Sequence, residues 1–167
     1  MEEIEDFKRR KALKQIRELV ERVNLCMFCT RLGHVPFESR PMITVKVDED
    51  CRLWFFSHAS SHKNDEIGHD DRVELLYEDL KNSEFMAIHG VAEILIDSQK
   101  AAELWTVDAE TWFPNGPEDP NLTIIMVTPI FSHYWHAKQS RMIALQTKED
   151  AKPIGTTGPD EAVSVAA

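Results

Sequence analysis

Six strand-like runs follow one another in this chain with mostly turns between them, and that succession restricts the fold more than any other feature. They cover roughly 25–30, 39–48, 51–57, 72–78, 84–96 and 122–136. Consecutive strands joined by turns pair antiparallel, whereas a parallel sheet needs a helical crossover after each strand. Repeated strand–helix alternation is missing, which argues against a nucleotide-binding Rossmann fold. Gly33 and Gly90 also lie in no glycine-rich cofactor motif. An antiparallel sheet of this size avoids exposed edges by closing into a barrel. The sequence therefore predicts a mainly β protein, a six-stranded antiparallel barrel with flanking helices.

Details of the runs add expectations. In 39–48, Met42, Thr44 and Lys46 alternate with Ile43, Val45 and Val47, and the second set is expected to face the core. Asp48-Glu49-Asp50 turns that run back into the next as a hairpin. Gly90 marks a bend and Pro129 an interruption. The first helix, 2–23, repeats Ile4, Phe7, Ile16, Leu19, Val20 and Val23 at helical spacing opposite a charged face. A short helix over 61–68 starts at Ser60 or Ser61 as cap. A third runs from Asp97 or Ser98 to Glu110, with Ala101, Leu104, Trp105 and Ala109 as its apolar stripe. From Ala137 the pattern fades, and the Pro- and Gly-containing run from Lys152 to Pro159 predicts a flexible tail. The expected organisation is one domain, 1–136, followed by a tail, 137–167.

A chain of 167 residues suits one such domain, and 43% apolar with 29% charged residues is ordinary for a soluble protein. No apolar run reaches membrane-spanning length, and the acidic start Met1–Asp6 lacks the features of a signal peptide, so a cytoplasmic protein is expected. A formal net charge of -10 opposes nucleic-acid binding; the basic run Lys8–Lys11 sits among Glu2, Glu3, Glu5 and Asp6 and reads as the wet face of a helix. Cys26 and Cys29 form a CxxC. Zinc would need two further ligands, and a redox pair normally precedes a helix. Here the pair lies in a strand, where residues three apart point to opposite faces. Ordinary buried cysteines and no metal are expected. His34 sits in a loop that can face a substrate. The seven histidines form neither an HExxH motif nor a Ser-His-Asp order, and Glu103, Asp108 and Glu110 read as solvated charges. Hydrolase and metalloenzyme readings are disfavoured, and no catalytic residue is assigned.

Three neighbouring segments carry chemistry: Ser39-Arg40-Pro41-Met42, then Leu53-Trp54-Phe55-Phe56-Ser57, then Ser61-His62-Lys63. They place an arginine on a strand, an aromatic strand after it, and a lysine at the start of a helix. Two cations can meet there on a phosphate, beside apolar surface suited to a flat ring. A guanidinium gives paired bonds to phosphate oxygens, and a helix start favours an anion. Plainer readings exist for each residue. Arg40 pairs with Glu38 at the surface, Ser61 is a simple cap, Lys63 is solvated, and either Phe55 or Trp54 with Phe56 fills the core.

The order and spacing of these segments resemble the FMN-binding split barrels related to pyridoxamine 5'-phosphate oxidase, in particular the general stress protein branch. Leu104-Trp105, the run Trp112 to Pro120 and Pro129 with Tyr134-Trp135 resemble that branch as well. The resemblance implies a split β-barrel that binds FMN, with FAD as an alternative. It implies that Arg40, Lys63 and Ser61 hold the phosphate, with His62 beside it. It also implies that Pro41, Met42, Phe55, Phe56 and Ser57 border the ring and ribityl chain. A homodimer is implied, with the flavin at the interface and Trp112 and Trp135 as walls of the site. The implied function is a flavin-dependent oxidoreductase of unassigned substrate, with NAD(P)H or a small molecule as redox partner. The alternative is a non-catalytic flavin-binding module that senses redox state or stores cofactor. The substrate-phosphate pocket of a true pyridoxamine phosphate oxidase has no counterpart in the sequence, so vitamin B6 oxidation is not expected.

Overall fold

The computed structural model describes residues 2–136 and 141–146. Its elements are α1 (Glu2–Arg22), β1 (Leu25–Thr30), β2 (Glu38–Ile43), β3 (Lys46–Val47), β4 (Leu53–His58), α2 (His62–His69), β5 (Arg72–Asp79), β6 (Glu84–Leu95), α3 (Ser98–Leu104), β7 (Leu122–His136) and β8 (Arg141–Gln146). Two short 3-10 turns, Val107–Thr111 and Gly116–Glu118, lie between α3 and β7.

All strand pairs are antiparallel, in the order β2-β1-β5-β6-β7-β4-β3, with β8 added on β7. The two ends of that order, β2 and β3, are consecutive in the chain. Thr44 N–H donates to Asn24 C=O at 2.7 Å, on the β1 side, and Val45 N–H donates to Trp54 C=O at 2.8 Å, on the β4 side. One segment thus holds both ends of the order, and the sheet curls into a barrel. At Thr44–Val45 the chain changes partner, so β2 and β4 part and leave a split between them. This is the flanked, curved antiparallel sheet expected of a split barrel.

Two expectations for 39–48 need correction. The run is two strands rather than one, and only its β3 end forms the hairpin with β4; β2 pairs with β1. Met42 and Thr44 face the interior, while Ile43 is 53% exposed. The side-chain phase slips at the change of partner, which returns Val47 to the inside. Thr44 is tolerated in the core because its hydroxyl meets the Tyr77 hydroxyl at 2.6 Å.

The barrel is filled by Phe28, Phe55, Leu53, Leu75, Ile88, Ile125 and their neighbours. Phe28 and Phe55 meet edge to face at 5.2 Å. α1 stops one end with Ala12, Ile16, Leu19 and Val20, and Arg22 ties it to Asp79 and Glu84. α2 stops the other with Ile67. A second cluster covers the outer side of β4 and β7, where Trp54, Leu122 and Ile124 pack under Ala101, Leu104 and Phe113. The third helix is shorter than expected. Asp97 caps it, accepting from Lys100 N–H, but it ends at Leu104, where Trp105 turns extended, and a 3-10 turn follows. Ala109 still lands in the core, so the expected stripe is inward despite the break.

Gly90 and Pro129 face each other where the β6–β7 register shifts. A Cβ on Gly90 would lie 2.8 Å from both the Thr128 carbonyl oxygen and Val127 Cγ1, which explains why glycine stands at the bend. Residues 141–146 were expected in the tail and instead form β8 against β7. The remainder of the expected tail, 137–140 and 147–167, lies outside the described residues. Among the described residues no helix is long and apolar enough to cross a membrane.

Candidate functional site

The barrel end stopped by α2 gathers charged groups from three elements. Arg40, on β2 opposite Phe28, shares the inward face with Met42. Its Nη1 donates to Thr30 Oγ1 at 2.6 Å and its Nη2 to Glu66 Oε2 at 2.8 Å. Thr30 Oγ1 donates to the same carboxylate oxygen at 2.5 Å. Thr30 is fully buried, and the Arg40 and Glu66 side chains are only 23% and 13% exposed. Burial alone would raise the Glu66 pKa. The bonds from Thr30 and Arg40, with the Arg40 charge, overcome it and hold the carboxyl below its ordinary value. Lys63 lies one turn earlier on α2. Burial and the nearby Arg40 charge push its pKa down, while Glu66 acts the other way. Arg40 is thus tied through Glu66 to α2, the helix on which Lys63 lies three residues before Glu66. The plainer pairing of Arg40 with Glu38 does not occur; Arg31 takes Glu38, at 3.9 Å.

A buried polar network fixes the first turn of α2 to the end of β4. Ser57 Oγ donates to Asn64 Oδ1 at 2.6 Å, and Ser61 Oγ donates to the same oxygen at 3.2 Å. Asn64 Nδ2 donates to Thr123 Oγ1 at 2.8 Å, and Thr123 Oγ1 donates to the Ser57 carbonyl at 3.0 Å. Ser61 is the N-cap residue, yet its hydroxyl serves Asn64 rather than a helix N–H. The Ser57 and Ser61 hydroxyls are therefore committed inside the protein. His62 opens the helix and is exposed.

The strand aromatics divide by parity. Phe55 points into the barrel and is fully buried, so only its backbone is left for any ligand. Trp54 and Phe56 point outward. Trp54 lies under Lys100, and Phe56 packs on Trp105 at 5.7 Å and Phe113 at 6.3 Å. The expectation that the Phe55 and Phe56 side chains border a ring therefore meets a competing use in packing for both. The Met42 side chain is interior, and Pro41 is exposed on the opposite face of β2. What β4 does offer is backbone. Trp54 C=O faces β3, so the N–H and C=O of Phe56 point the same way, beyond the last residue that β3 pairs.

Within one chain, Trp112 and Trp135 are not part of this cluster. Trp112 is 75% exposed beside Phe113, which stacks on His58 at 6.2 Å. Trp135 lies on β7 at the α1 end of the sheet, opposite Phe85, and stacks on His133 at 5.6 Å. Trp112 follows the 3-10 turn Val107–Thr111 and is off the sheet, whereas on the sheet's outer face Leu25, Met27, Ile43 and Leu76 are 53%, 40%, 53% and 42% exposed. The register joins these side chains into one apolar surface: Ile43 faces Leu25, and Met27 faces Leu76. Arg72, at the start of β5, is held by Asp70 at 2.7 Å. His34 lies in the exposed loop after β1, with Nδ1 3.4 Å from Arg31 Nη2.

The cysteines read as packing. Cys26, Cys29 and Cys51 are buried free thiols. Burial pushes the Cys26 thiol up to about 12 and Cys51 up to about 11, far from thiolate chemistry. No cluster suited to a metal ion occurs among the described residues. Sequence reasoning missed Thr30, Glu66, Asn64 and Thr123. Glu66 carried a signal, since it sits three residues after Lys63 on one helix and so shares its face.

A family model described as pyridoxamine 5'-phosphate oxidase like matches residues 11–159. The fold resembles that of a Clostridium acetobutylicum protein related to general stress protein 26 of B. subtilis. It is 24% identical, the match covers 81% of this chain and 94% of that one, and the TM-score is 0.69. It also resembles the general stress FMN/FAD binding protein of Xanthomonas citri, at 19% identity, 87% and 96% coverage and a TM-score of 0.64. At these identities the likeness is one of fold. Protein bli-3 of Neurospora crassa is 23% identical over 90 residues, which are 49% of this chain and 43% of that protein. The chain thus matches less than half the length of that relative.

Proposed function

The chain belongs to the pyridoxamine 5'-phosphate oxidase-like family, and from that premise we propose that it is an FMN-binding protein of the general stress type. The observation that carries the proposal is the bond of Arg40 on β2 to Glu66 on α2 at 2.8 Å, which brings the strand that carries Arg40 against the helix that carries Lys63. A phosphate there takes a planar cation from β2 and an ammonium from α2. The backbone of Phe56, beyond β3, offers a donor and an acceptor to the edge of a ring, with Met42 and Pro41 on the facing strand. FMN fits this donor set, and FAD fits it where the adenylate extends outward. When bound, the flavin supplies hydride and single-electron chemistry. The chain's own residues bind its phosphate and orient its ring.

The outer apolar sheet surface supports a homodimer. A second copy would cover Ile43, Leu25, Met27 and Leu76 and bring Trp135 or Trp112 against the partner's site. Free thiols accord with a reducing, cytoplasmic setting. An oxidoreductase using NAD(P)H or a small molecule is one reading of the flavin. A non-catalytic sensor or store is the other. It is favoured by the commitment of the Ser57 and Ser61 hydroxyls and of Glu66 to internal bonds, which leaves these groups holding structure rather than poised as acid or base.

A visible spectrum and a flavin titration of the purified protein test the proposal. FMN should bind, and Arg40→Ala or Lys63→Ala should weaken FMN about tenfold to a hundredfold while affecting riboflavin far less. Lack of binding to either FMN or FAD would end it. Sedimentation with and without flavin tests the dimer; a monomer that binds flavin tightly refutes the shared site. Anaerobic reduction by NADH or NADPH, followed by reoxidation with candidate acceptors, separates enzyme from sensor.

A further inference from the structure

We propose that Glu66 sets the charge specificity of the barrel-mouth pocket, so that it suits a phosphoryl group bearing one negative charge better than one bearing two. The inference rests on the flavin-phosphate reading of Arg40 and Lys63 and extends it. Arg40 and Lys63 bring two positive charges to this end of the barrel, but Glu66 accepts from Arg40 Nη2 at 2.8 Å and from Thr30 at 2.5 Å, which leaves a net of one positive charge among the three. Arg31 also acts on Glu66 from the loop after β1, and its own charge is offset by Glu38 at 3.9 Å. The pair is mostly buried, so salt screens it weakly.

A phosphomonoester carries close to two charges above its second pKa of about 6. Each phosphoryl group of a pyrophosphate bridge carries one. The second charge of a monoester is therefore bound against the carboxylate of Glu66. The same carboxylate stabilises the protein without ligand, because it pairs with the mostly buried Arg40 and satisfies the buried Thr30 hydroxyl. Glu66 thus has opposite effects on stability and on dianion binding, and that opposition distinguishes it from a residue with a merely structural role.

The test is Glu66→Gln in the full-length protein, with FMN, FAD and riboflavin titrated at pH 8 by flavin fluorescence. The amide keeps an acceptor for Thr30 and Arg40. FMN should tighten about tenfold, a change of about 1.4 kcal/mol. FAD should tighten less, riboflavin should be unchanged, and the melting temperature without flavin should fall. FMN that binds no tighter relative to riboflavin overturns the proposal. A second measurement needs no variant: in the wild type, the FMN-to-FAD affinity ratio should rise as pH falls from 8 to 5.5 and the monoester gains its proton. A flat ratio also overturns it. Wild type that binds none of the three flavins fails the functional reading itself. If Arg40→Ala weakens FMN but Glu66→Gln does not strengthen it, the phosphate site stands and only the role of Glu66 falls.

Discussion

Replacing Asn64 by alanine should loosen the whole barrel mouth, and the size of the effect follows from the network it joins. Asn64 is 8% exposed, and its amide links the end of β4, the first turn of α2 and the start of β7. The substitution removes the 2.6 Å bond from Ser57, the 2.8 Å bond to Thr123 and the weaker 3.2 Å bond from Ser61. Ser57 retains a contact with Ser61 at 3.2 Å, and Thr123 still donates to the Ser57 carbonyl, so neither hydroxyl is wholly abandoned. At about 1 kcal/mol per bond, with part of the penalty for buried groups left short, the loss comes to about 2–4 kcal/mol. For a chain of this length that corresponds to about 5–15 °C in melting temperature. Thermal and urea unfolding followed by circular dichroism give the number directly. The proposed FMN site should weaken as well, since Lys63 rides on the same turn. A drop below about 2 °C would mean that Ile67 and the Arg40–Glu66 pair hold α2 unaided, and the network argument would fail.

Gly90→Ala should cost about 1–3 kcal/mol, because the new Cβ meets the Thr128 carbonyl oxygen at 2.8 Å across the bulge; an unchanged urea midpoint would refute the close-packing account. Tyr77→Phe should cost about 1 kcal/mol in urea unfolding, leaving the Thr44 hydroxyl in the core without its 2.6 Å partner. Acid should destabilise the protein through Glu66. Its folded pKa lies below the ordinary 4.5, so its contribution is complete above that value and is lost as pH falls through the folded pKa. Urea midpoints from pH 6 to pH 3 should fall less steeply in Glu66→Gln than in the wild type, and parallel slopes would refute the assignment.

Much of this fold was legible because barrel strands announce themselves locally. Five of the six expected runs correspond to single strands, since turn residues and alternation mark them without reference to partners. The sixth, 39–48, was misread for a reason that alternation cannot reveal. Its two halves pair with strands at opposite ends of the sheet order, and the phase of burial slips where the partner changes. The third helix was overextended because Ala109 continues the apolar stripe across a break set by the backbone at Trp105. At the site, Arg40 and Lys63 were visible as charges awaiting a partner. Thr30, Asn64 and Thr123 were not, because a buried hydroxyl or amide looks in sequence like any turn or strand residue. Their roles appear only when the barrel brings β1, α2 and β7 together.

The split follows from how this barrel closes. A six-residue β2 bound to β1 and a two-residue β3 bound to β4 are joined by only Thr44 and Val45. That short link closes the sheet at one level and forces its edges apart above it. Uncovered strand edges are a liability that folded proteins cover or blunt. Here α2 crosses the opening, anchored by Glu66 to Thr30 and Arg40 and by Asn64 to Ser57 and Thr123. It stops the barrel without pairing the backbone of β4. Phe56 therefore keeps its donor and acceptor directed off the sheet, on the side of β4 away from β7, and α2, which carries Lys63 and bonds Arg40 through Glu66, crosses that opening. A ring with hydrogen-bonding edges and a phosphate tail matches that combination of backbone groups and charge. Extending β3 would satisfy the same backbone and close the opening, so the shortness of β3 is the feature on which the proposed flavin site depends.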